Sequence, residues 1–108
     1  MRIDYKPLSV NECWKGQRFK TDKYKKYEND ILFLLPLHAL PQAPYAIIIT
    51  FGVSNLGADI DNPVKPFLDI LQKKYGFNDR DIFEMHVYKL KTDKGKEFIN
   101  FVIEGVIR

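Results

Sequence analysis

Residues 44–53 read PYAIIITFGV, 54–61 SNLGADID, 62–75 NPVKPFLDILQKKY and 76–82 GFNDRDI. The first piece is short, apolar and β-branched, the pattern of a buried strand. The second is polar and opens a loop through Gly57. The third starts a helix at about Pro63, with Asn62 as cap and Pro63 at the first helical position. Val64, Phe67, Leu68, Leu71 and Tyr75 recur at helical spacing and make its core stripe. Pro66 falls in the first turn, where a missing N–H costs little. Gly76 ends the helix, and Ile82 begins another apolar segment.

Working outward, residues 22–35 predict an earlier helix. Thr21 can cap it, and Tyr24, Tyr27, Ile31 and Leu34 form its stripe. Residues 2–14 read as extended, with a turn at Lys15–Gly16. Residues 82–91 and 96–104 are rich in Phe, Ile, Val and Tyr, and TDKGK between them predicts a hairpin turn. The expected fold is α+β: one small domain over 1–108, with a mixed sheet, two main helices and a C-terminal β-hairpin.

Composition agrees with one globular core, at 108 residues, 45% hydrophobic and 14% aromatic. No apolar run reaches the roughly 20 residues that span a bilayer; Pro36 interrupts the longest, ILFLLPLHALP. The opening MRIDYKPL has no apolar segment of the secretory type, and the single cysteine can form no internal disulfide. The expected compartment is the cytoplasm, with no membrane partner.

The net charge of +3 sits entirely in residues 1–54, which hold eight Lys/Arg and five Asp/Glu. Within them, KGQRFKTDKYKK (15–26) carries six basic residues and one acid. Lys15, Arg18, Lys20, Lys23 and Lys26 are candidate phosphate contacts. A solvated helix face with a basic loop is the alternative. Trp14, Phe19 and Tyr24 either stack on exposed bases or pack in the core.

Asp59 and Asp61 stand just ahead of the second helix. On an extended backbone both point to one face, and two close carboxylates repel unless a cation lies between them. Mg²⁺ takes hard oxygen ligands and keeps several waters. Lys65, one helical turn on, suits a developing phosphate charge. Equally, the two acids can cap the helix and Lys65 can pair with Asp69. An EF-hand is excluded, since the twelfth position counted from Asp59 is Ile70. His38 and His86 lack a second histidine at ligand spacing, Cys13 lacks a base, and there is no Gly-rich phosphate loop, hence no nucleotide cofactor.

Asp79 and Asp81 follow the helix. The run DIDNPVKPFLDIL followed by YGFNDRDI resembles the RusA-like Holliday junction resolvases, with their D-x-D-N-x-x-K-x-x-x-D-x-L core. PLSVNECWKG resembles that family's opening P-x-S-x-N and brings in Asn11 as a DNA contact. The resemblance spans about residues 5–104. It implies Asp59, Asp61 and Asp79 as metal-binding catalytic acids, with Asp81 as the alternate third ligand. Lys65 would be the essential lysine and Mg²⁺ the cofactor, with Mn²⁺ as a substitute. The implied activity is paired nicking of four-way DNA junctions by a homodimer. A helix of about 20 Å separates Asp61 from Asp79, so either the chain doubles back or a second subunit completes the site. The rival reading is a non-catalytic nucleic-acid-binding protein that uses the basic N-terminal half.

Overall fold

The computed structural model describes residues 1–106. Eight regular elements follow in order: β1 (Arg2–Ile3), β2 (Trp14–Lys15), β3 (Phe19–Lys20), α1 (Asp22–Leu34), β4 (Tyr45–Val53), α2 (Val64–Tyr75), β5 (Ile82–Lys91) and β6 (Phe98–Gly105). Two 3-10 turns, Val10–Glu12 and Asp79–Asp81, complete the chain.

The main sheet has the order β1-β6-β4-β5. β4 and β5 are parallel and joined by α2, so residues 45–91 form one β-α-β crossover. β6 runs antiparallel to β4, and β1 antiparallel to β6. The sheet is therefore mixed, in an α+β domain with two helices. The two C-terminal strands are present and are joined by a tight turn, but they do not pair. β4 lies between them, and the turn arches over its end, where the Thr92 amide donates to the Val53 carbonyl (2.9 Å). β4 is the most buried strand of the sheet, and both C-terminal strands pair along its length.

Alternation along β4 sends Ile47, Ile49 and Phe51 to one face, where Ile99, Phe101 and Ile103 of β6 join them. Phe67 of α2 packs edge-on between Phe51 (6.2 Å) and Phe101 (5.5 Å). Leu68, Ile70 and Leu71 extend that contact, and Tyr24, Tyr27 and Ile31 bring in α1. Both helices thus cover the same face.

α1 begins where expected, with the Thr21 hydroxyl accepting from the Tyr24 amide (3.1 Å). Its stripe ends differently: Leu34 is exposed and Leu35 is buried. At 100° per residue the position four after Ile31 returns to the core, whereas the position three after swings past it. α2 ends at Gly76, whose φ of 71° is open to glycine without strain. Its start departs from expectation. Pro63 occupies the cap position, and no side chain caps the helix. Consecutive backbone turns do that work, with Asn62 N–H donating to Asp59 O (3.2 Å) and Val64 N–H to Asp61 O (3.1 Å). Pro66 has no N–H to satisfy.

Candidate active site

The loop from Ser54 to Pro63 is held from three sides. The Asn55 side-chain oxygen accepts from the Gly57 amide (2.9 Å). Lys89 reaches over from β5, and its ammonium donates to the carbonyls of Ala58 (2.8 Å) and Leu56 (3.2 Å). The Val10 amide donates to the Asn62 carbonyl (2.8 Å), which pins the N-terminal 3-10 turn against the loop. Asp59 and Asp61 therefore project from a turn, not from the extended backbone expected. Both are exposed. Among the described residues neither carboxylate has a hydrogen-bond or ion-pair partner, and neither caps α2. The helix-cap reading of these acids does not describe this structure.

Lys65 pairs with Asp69 (2.9 Å), one turn along α2. That hydrogen bond raises the Lys65 pKa above its ordinary value; partial burial opposes the rise, and the charges of Asp69 and Asp79 add to it. Lys65 thus stays cationic, and Asp79 lies close enough for its charge to be felt. Asp79 gets there because the chain reverses directly after Gly76. Asn78 caps the 3-10 turn by accepting from the Arg80 amide (3.0 Å), and the Asp79 amide donates back to Gln72 Oε1 (2.9 Å). An open hollow of about 290 Å³ places Asp79 beside Leu68 and the first residues of β5. The reversal brings Asp79 back alongside α2, at Gln72 and Leu68.

One chain therefore gathers Lys65, Asp69 and Asp79 along α2, and holds Asp59 and Asp61 on the turn at its start. It does not gather all three acids: among the described residues, no three His, Cys, Asp or Glu side chains come together to hold a metal. The donor chemistry fits Mg²⁺, which commonly binds through one or two carboxylates plus substrate phosphates. The unpartnered Asp59 and Asp61 oxygens are of that type. Asp81 closes the same 3-10 turn as Asp79.

The basic segment divides in two. Lys15 and Arg18 flank the tip of the β2–β3 hairpin, around Gly16 (φ 65°), and are exposed without an ion pair among the described residues. Lys20, Lys23 and Lys26 are engaged, with Glu28 (2.9 Å), Glu12 (3.1 Å) and Asp30 (2.6 Å) respectively. The Lys23 and Lys26 pairs are exposed and weak, so a phosphate can displace them, whereas the Lys20–Glu28 pair is partly buried. Asn11 is exposed beside the hairpin. Of the stacking candidates, Tyr24 is buried and packs against Trp14 edge-to-face at 5.6 Å. Trp14 and Phe19 remain open, at 42% and 71% exposure.

Cys13 is buried, and its thiol donates to the Ser9 carbonyl (3.4 Å). Burial, then the charges of Glu12 and Asp69, push its pKa up to about 11, so it is no nucleophile at neutral pH. His38 packs edge-on against Tyr75 (6.5 Å). Two residues escaped sequence reading: Lys89, which clamps the acidic loop, and Glu97, which joins that loop to the β5–β6 turn. Lys89 carried one signal. It follows Met85 and Val87 at the period of two, on the face of β5 turned toward the helices.

The chain matches no protein-family model, and no curated protein matches it. None of the described helices is long and apolar enough to cross a membrane.

Proposed function

We propose that this protein is a Mg²⁺-dependent, structure-selective endodeoxyribonuclease that nicks four-way DNA junctions. The observation that carries the reading is the state of Asp59 and Asp61. Both carboxylates are exposed and, among the described residues, without a partner, on a turn that is bonded to the segment bearing the basic hairpin. Carboxylates left unpaired at such a place suit a cation and its phosphate ligand. The resemblance of the acidic motif to the RusA-like resolvases supports the same reaction class.

Asp59 and Asp61 would hold the metal, with Asp79 of a second subunit as the third ligand. A bound Mg²⁺, or Mn²⁺ in its place, supplies an activated water and neutralises charge developing on the phosphate. Lys65, kept protonated by Asp69, donates to a non-bridging phosphate oxygen as that charge grows. Lys15 and Arg18 grip the backbone, joined by Lys23 and Lys26 once phosphates displace their acidic partners, with Lys20 adding its charge from beside Glu28. Phe19 and Trp14 offer faces to unstacked bases at the crossover.

The test is Asp61→Asn, which keeps shape and removes charge. It is expected to bind a synthetic four-way junction within about twofold of the parent and to cut it at least on the order of 10²-fold more slowly. Parental cleavage by a well-folded Asp61→Asn protein would overturn the assignment. A parent that binds junctions equally with and without Mg²⁺ and never cuts would favour the non-catalytic binding protein.

A further inference from the structure

A cavity of about 320 Å³ lies between the N-terminal segment and the loop that carries the two acids. Pro7, Val53, Ala58 and Pro63 form its apolar walls, and its polar groups include Asn62 and Glu97. It adjoins a second hollow of about 490 Å³ that opens toward Lys23 and Lys26 on α1. The first cavity touches Ala58 and Asn62, the neighbours of Asp59 and Asp61 in sequence.

Its polar groups are aimed and partly unused. Glu97 is 9% exposed, yet it is held as a carboxylate inside this wall. Its Oε1 accepts from the Gly95 amide (2.8 Å) and its Oε2 from the Ser54 hydroxyl (2.8 Å). Its own backbone amide and that hydroxyl lower its pKa, with partial burial opposing them, so it stays charged. Three donors therefore share its two oxygens, which leaves one lone-pair site for a ligand. The Asn62 backbone is fully used, by Val10 and Asp59, while its carboxamide has no partner among the described residues.

Lys6 also lines the cavity, but against it stand two carboxylates, Glu97 and the Lys23-paired Glu12, so the wall is net acidic and disfavours a phosphate. The volume lies at the small end of ligand pockets. Apolar walls with an anionic acceptor and amide donors suit a flat heterocycle read along its edge. We infer that the cavity takes one unpaired nucleobase from the nucleotide next to the cleaved phosphate, with Glu97 and Asn62 reading its edge. The inference rests on the nuclease reading for its substrate, and it adds that the protein draws a base out of the stack and selects it.

The test uses four-way junctions carrying a single 2-aminopurine, placed in turn at each position around the crossover, with the full chain in EDTA. At one position the probe is expected to brighten at least twofold on binding, as an unstacked base does. Ala58→Leu, which fills the cavity from a half-exposed loop position, should bring that signal back to the free-junction level while junction affinity by anisotropy stays within about threefold. Glu97→Gln should change the affinity ranking of the four natural bases at that position by on the order of tenfold. No brightening at any position, brightening that survives Ala58→Leu, or an unchanged ranking in Glu97→Gln would overturn the inference. EDTA makes the readout independent of cutting, so cleavage without brightening removes only this inference, and brightening without cleavage in Mg²⁺ removes only the catalytic reading. A chain that binds no junction removes both.

Discussion

Gly52 faces the open side of the sheet and lies under the ring of its cross-strand partner Phe98. A Cβ added there would stand 2.3 Å from two ring atoms, far inside contact distance. The Arg2 guanidinium sits 4.1 Å above the same ring. Gly52→Ala is therefore expected to destabilise the fold by about 1–3 kcal/mol, as overpacking does, measured by urea denaturation. Pairing it with Phe98→Leu should recover part of the loss, and an unchanged midpoint in the single variant would show that the ring yields freely. At this scale the sequence was most legible where chemistry is local. Asp59, Asp61 and Lys65 were visible as unusual charges around a helix start. The Lys26–Asp30 pair follows from helical spacing alone. The partners of Lys20 and Lys23, eight and eleven residues away, depend on how α1 meets its neighbours, and no spacing rule finds them.

Glu28 ties the two helices together, accepting from Lys20 and from Lys73 of α2, each at 2.9 Å. Partial burial raises its pKa, but the hydrogen bonds and charges of the two lysines outweigh that and hold it below the ordinary value. The native state thus binds this proton less readily than the unfolded chain. Its contribution is fully present above the unfolded value of about 4.3 and is lost as pH falls through the lower native value. Because Lys73 is exposed and Lys20 partly so, screening keeps the contribution small. Glu28→Gln should cost on the order of 1 kcal/mol at pH 7 in urea titrations, and the gap from the parent should narrow below about pH 4. A constant gap at all pH values would assign the effect to packing instead. The helices themselves were legible because Thr21 and Gly76 are strong local signals. The uncapped start of α2 was not, since Asn62 turned its backbone toward Val10 and Asp59. The separation of β5 and β6 by β4 was also hidden: alternation marks strands and TDKGK marks a turn, but neither says which strand lies between.

On the scale of the whole molecule, Asp59 and Asp61 lie on the α2 entry turn and Asp79 alongside the helix, and no three acids come together among the described residues. Under the proposed nuclease reading, two copies related by a two-fold axis would each complete the other's site, and a two-fold protein would match a junction cut symmetrically. Asp61→Asn and Asp79→Asn proteins, each inactive alone, should therefore regain cleavage when mixed and allowed to exchange subunits, since half of the heterodimer's sites are intact. Verified exchange without any recovered activity would place all the ligands within one chain.

The most direct measurement incubates the wild-type chain with a four-way junction labelled on one strand at a time, in Mg²⁺ and in EDTA, beside a linear duplex of the same sequence. Symmetric nicks in two opposing strands near the crossover, dependent on Mg²⁺ and absent from the duplex, are the predicted result. Tight junction binding with no nick in either Mg²⁺ or Mn²⁺ would contradict the account.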